Sequence, residues 1–121
     1  IARLVLDAGI VRHRGKIEAV VNNARRYPAL REEFGSLASF IWSFEPGRAE
    51  RGVPRTQGDI PPMTPSASAM SKALKARGWK FVGPTTMYAL FQAMGLVNDH
   101  LEGCFRRRPV AALRHALRDA E

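Results

Sequence analysis

Two glycines, Gly78 and Gly83, decide most of what the middle of this chain can become. They bracket Trp79-Lys80-Phe81-Val82, with one apolar-periodic segment ending at Arg77 and another running from Pro84 to Met94. A helix stopped at a glycine, a short basic and aromatic loop, and a helix restarted at Gly-Pro together read as a helix-hairpin-helix over about residues 66–94. Gly78 suits the position after a helix end, where the backbone must enter the left-handed region. Pro84 suits the first helical position, whose N–H has no intrahelical partner anyway. Gly83 lets an anion come close to the main chain, and the amides of Thr85 and Thr86 beyond it lack partners in their own helix. Lys80 adds a charge, while Phe81 and Val82 are expected to pack inward. An ordinary helix–turn–helix connection with no ligand would show the same spacing.

Charge favours a ligand. The chain carries 19 Lys and Arg against 11 Asp and Glu, a formal net charge of +8. That excess selects polyanions, nucleic acid first and an anionic membrane surface second. The membrane reading is supported only by a last amphipathic helix, and no apolar run has the length of a membrane span. With 121 residues the chain can bury one compact core. One cysteine forms no internal disulfide, so a reducing compartment such as the cytoplasm is expected. The opening Ile1-Ala2-Arg3-Leu4-Val5 reads as the inside of a helix, so a preceding part of the protein is expected.

The remaining segments predict an all-α fold. Helices are expected over 1–8, over 16–27 with Pro28 as its stop, and as a short element over 37–44. Residues 45–63, rich in Pro, Gly and Arg and without periodicity, read as a long loop. Thr64-Pro65 starts the helix that leads to Gly78, and a final helix is expected from Pro109 to about Ala120.

Three groups of residues carry candidate chemistry. Arg12-His13-Arg14-Gly15-Lys16 is a cationic loop feeding a helix start, suited to backbone phosphates, although a solvated turn has the same composition. Arg106, Arg107, Arg108 and Arg114 read as a surface tail. His100 and Cys104, four apart, would share one face of a helix and could supply two of four zinc ligands. A buried cysteine beside a surface histidine is the plainer alternative. Among the aromatics, only Trp79 lies in a loop where it could stack on a base, and core packing is favoured even there. Glu18, Glu45, Asp59 and Asp99 form no recognisable acid–base pair.

Four strings occur in order: Asp7 to Ile17, Phe40 to Phe44, Ser71 to Thr86, and Gln92 to His100 followed by Cys104. Over residues 1–105 the chain resembles the C-terminal two-thirds of the DNA-3-methyladenine glycosylase I family. Residues 106–121 resemble nothing comparable and are expected to form a basic helical tail. The resemblance implies a helix-hairpin-helix glycosylase acting as a monomer on double-stranded DNA and hydrolysing the N-glycosidic bond of 3-methyladenine. It implies DNA contacts at Arg12, Arg14, Lys16, Lys80, Gly83, Thr85 and Thr86. It also implies a structural zinc held by His100 and Cys104 with two ligands from an upstream segment. The base-recognising glutamate, the stacking aromatics and the plug residue would belong to that segment too, so no catalytic residue is expected here and these residues alone should be nearly inactive. The family lacks the aspartate that follows the hairpin in most relatives, and no acidic residue occurs here between Gly83 and Asn98. A non-catalytic helix-hairpin-helix module that binds DNA is the competing reading.

Overall fold

The computed structural model describes residues 1–119, with the side chains of Arg118 and Asp119 left aside. It is all-helical, with five α-helices and no strand among the described residues: α1 (Arg14–Phe34), α2 (Leu37–Trp42), α3 (Pro65–Ala76), α4 (Pro84–Met94) and α5 (Arg107–Asp119). Helix α3 packs against α4, and α1 against α2. The core gathers one face of each: Leu30, Phe40, Ile41, Ala67, Met70, Leu74, Met87, Tyr88 and Phe91, closed by Val82, Leu96 and Val97. On α3 the buried positions 67, 70, 71 and 74 follow the helical period. Removing a fully buried ring such as Phe91 from water contributes about 1.5–3 kcal/mol.

Several boundaries differ from those expected. The first eight residues form only a 3-10 turn, Leu4–Leu6, with no buried residue to hold a longer helix against the core. Helix α1 starts at Arg14 and runs through Pro28 to Phe34. Pro28 gives no N–H to the preceding turn, but the second half of α1 is retained because Leu30 is fully buried and Phe34 packs edge-on against Phe40. The helix ends instead at Gly35, whose φ of 81° only glycine adopts cheaply. The loop over 45–63 contains two 3-10 turns, Arg48–Glu50 and Gln57–Asp59. In the second, Asp59 accepts from the N–H groups of Arg55 and Thr56 at 2.9 and 2.8 Å. Those backbone bonds hold its carboxyl below the usual carboxylate range.

Helix α5 begins at Arg107, two residues earlier than expected, and its expected end at Ala120 lies outside the described residues. Asn98 and Arg107 bond reciprocally: Asn98 Nδ2 donates to the Arg107 carbonyl, and Arg107 Nη1 donates to the Asn98 carbonyl, each at 2.9 Å. Arg114 lies 2.6 Å from Glu45 with its side chain 13% exposed. Two of the four arginines expected on a surface tail therefore face the body of the protein.

Candidate nucleic-acid interface

The hairpin is built by two helix ends and clamped from a third helix. At the end of α3, Gly78 takes φ 77°, its N–H bonds to the Lys75 carbonyl, and the Trp79 N–H reaches back to the Leu74 carbonyl. This double closure is the Schellman arrangement the glycine was expected to permit. Arg77, at the same end, stacks over Phe34 at 5.2 Å and bonds Glu33 through Nε at 3.1 Å, which fixes α3 to the end of α1. The Arg77 bond holds the Glu33 carboxyl below its usual range.

Two asparagines on α1 fasten the loop. Asn22 Nδ2 donates to the Gly78 carbonyl at 2.9 Å. Asn23 donates to the Lys80 carbonyl and accepts from the Lys80 N–H, both at 2.9 Å. Neither asparagine stands out in the sequence, because a polar side chain on a helix gives no sign of a partner 56 or 57 residues away.

Gly83 caps α4 with no side chain, and a Cβ placed on it would meet nothing within 4 Å. The first α4 bond runs from the Met87 N–H to the Gly83 carbonyl. The amides of Thr85 and Thr86 lie in the exposed first turn of α4 ahead of that bond, at the positive end of the helix dipole. Lys80 is exposed beside them.

Phe81 departs from expectation. Val82 is buried, but Phe81 is 53% exposed and sits at φ 56°, the only non-glycine residue among those described in the left-handed region. Its ring meets His13 edge-on with centroids 5.9 Å apart. His13 is the N-cap of α1, its Nδ1 accepting from the Lys16 N–H at 3.1 Å. The contact joins the cationic loop, with exposed Arg12, Arg14 and Lys16, to the hairpin that carries exposed Lys80. Arg14 is partly offset by Glu18 at 3.5 Å. Trp79 is half-buried and packs against the core.

The remaining candidates lie beyond the other end of α4. His100 Nδ1 and Cys104 Sγ stand 3.6 Å apart, although residues 98–106 form turns and no helix. No group of three or more His, Cys, Asp or Glu side chains suited to a metal occurs among the described residues. Asp99 accepts from Tyr88 Oη at 2.6 Å and from Gln92 Nε2 at 2.9 Å. Burial, then the Asp99 bond, pushes the Tyr88 hydroxyl well above its ordinary pKa. Glu45 is taken up by Arg51 and Arg114.

Comparison with known proteins decides the family. The sequence profile described as methyladenine glycosylase matches residues 1–107. The chain belongs to the methyladenine glycosylase family. Among family members, DNA-3-methyladenine glycosylase 1 of Escherichia coli is 48% identical over 104 residues, 86% of this chain and 56% of that protein. The DNA-3-methyladenine glycosylase of Haemophilus influenzae is 44% identical over 99 residues, 81% of this chain and 53% of that protein. A solved structure of a Staphylococcus aureus 3-methyladenine DNA glycosylase I, described as the basis of its recognition of 3-methyladenine, superposes with a TM-score of 0.79 at 35% identity. It covers 88% of this chain and 56% of that one. This family member thus spans a little over half the length of the relatives it matches.

Proposed function

We propose that the chain is the hairpin-bearing part of a DNA repair glycosylase that hydrolyses the N-glycosidic bond of 3-methyladenine in alkylated double-stranded DNA. The observation that carries this reading is the pair of amides, Thr85 and Thr86, in the exposed first turn of α4, in a hairpin that carries exposed Lys80 and that the His13–Phe81 contact joins to the loop with Arg12, Arg14 and Lys16. Relatives named for 3-methyladenine, one with the base bound, give the lesion.

A glycosylase must swing its nucleotide out of the stack, at a cost of a few kcal/mol. Backbone contacts from the hairpin and the cationic loop offset that cost by anchoring the flanking phosphates. They read no sequence, which suits a search for rare damage. In the reaction, water adds to C1′ of the sugar and releases a proton to solvent, while the C1′–N bond pair leaves with the base. 3-Methyladenine is cationic on the sugar, so it departs neutral and needs little acid assistance. The first carboxylate beyond the hairpin, Asp99, is held by Tyr88 and Gln92, in keeping with a mechanism without an aspartate at that place.

His100 and Cys104 fit a structural zinc site. Two ligands of a tetrahedral zinc, at about 2.1 Å (N) and 2.3 Å (S), stand roughly 3.6 Å apart, and the two side chains have that separation. Two further ligands would come from outside residues 1–121, and the ion would tie those segments together. Operation in the cytoplasm is in keeping with the single thiol, and operation as a monomer is part of the same proposal; among the described residues no helix is long and apolar enough to cross a membrane.

The test is release of 3-methyladenine from methylated duplex DNA by the intact protein, read by chromatography. Release upholds the enzyme. Salt-sensitive binding without release would make the chain a non-catalytic DNA-binding module.

A further inference from the structure

A cavity of about 290 Å³ opens between α5, Asn98 and residues 48–53. No residue of the hairpin or of the cationic loop is among those that line it. Arg48, Arg51, Arg107, Arg114, His115 and Asn98 line it. Part of that wall, Ala111, Arg114 and His115, belongs to α5 beyond the residues matched by the family profile.

Four arginines and no carboxylate are among the residues that line the cavity. Arg51 and Arg114 share Glu45. Arg107 spends its Nη1 on the backbone carbonyls of Asn98 and His100, which carry no net charge. Arg48 is exposed and enters no salt bridge among the described residues. Clustered guanidiniums repel one another. An entering anion relieves that repulsion. Guanidinium forks match the oxygens of phosphate and hold them through paired, charge-assisted bonds. The volume is at the small end for ligand pockets, enough for one phosphate with its sugar.

We propose that this cavity binds a phosphate ester. Arg48 and Arg107 take the phosphate oxygens, and Val53 and Ala111 face the sugar. Such a site is separate from the hairpin and stands whether or not the chain takes part in base excision.

The experiment is calorimetric titration of the intact protein at low salt with inorganic phosphate and with a nucleoside monophosphate. Saturable one-to-one binding is expected, tighter for the nucleotide. Arg48→Gln, at an exposed and unpaired position, should weaken it by about tenfold, while Lys80→Gln, in the hairpin, should leave it within about twofold. No saturable binding, or equal losses in the two variants, would overturn the assignment. Displacement of the nucleotide by a short duplex in the Lys80→Gln protein would name the DNA backbone as the source of the phosphate. Absence of displacement would name a free nucleotide ester, and either result upholds the cavity.

Discussion

Asn23 answers both polar groups of the Lys80 peptide, donating to its carbonyl and accepting from its N–H, each at 2.9 Å. One amide on α1 thereby sets the height of the loop from which Lys80 projects and from which α4 begins. The hairpin is held from outside itself, which matters because a loop that must meet a phosphate rail benefits from being rigid beforehand.

Asn23→Ala should lower stability by on the order of 1–2 kcal/mol, since two partly exposed hydrogen bonds are lost. It should also weaken duplex binding while keeping its salt dependence, because no cation is removed. Urea unfolding and fluorescence anisotropy across a salt series check the two halves. Unchanged binding would mean that the clamp serves the fold alone.

Lys80→Glu should weaken duplex binding and reduce the slope of log affinity against log salt by about one, the signature of one lost phosphate contact. An unaltered slope would remove Lys80 from the interface.

Phe81 pays for its left-handed backbone with strain of about 1–2 kcal/mol, which glycine avoids. Phe81→Gly should therefore be at least as stable as Phe81→Ala, in which the strain persists and the His13 contact is gone. Thermal melting of the pair decides this. A clearly less stable glycine variant would show that the φ of 56° costs nothing.

Tyr88 gives a pH dependence whose sign follows from its raised pKa. The folded protein keeps the hydroxyl protonated where an unfolded tyrosine, near pKa 10, ionises. This contribution is fully present below about pH 10 and is lost as pH rises through the higher folded value. Wild type should thus lose stability more steeply than Tyr88→Phe between about pH 9.5 and 11.5, measured by urea midpoints. Parallel curves would contradict it.

Cys104→Ser in the intact protein should lower zinc content and melting temperature together. Retention of one zinc per chain would remove Cys104 from the proposed ligand set.

Much of the hairpin was legible because its signals are local: Gly78, Gly83 and Pro84 each answer a backbone requirement within a few residues of themselves. The α1 boundary was misread because Pro28 is a local breaker overruled by distant packing at Leu30 and Phe34. Phe81 was misread because hydrophobicity alone does not tell which way a loop residue points. Asn22, Asn23 and Asn98 left no trace, since their partners are main-chain groups brought near by the fold. Arg107 and Arg114 looked like tail residues because charge predicts exposure until a carbonyl or Glu45 receives it.

The most direct measurement is a map of backbone amide shifts as duplex DNA is added to the protein. The account requires the largest changes at Thr85 and Thr86, with Lys80 and residues 12–16 moving alongside. If those amides stay still while another surface responds, the grip of the hairpin on the phosphate backbone is contradicted.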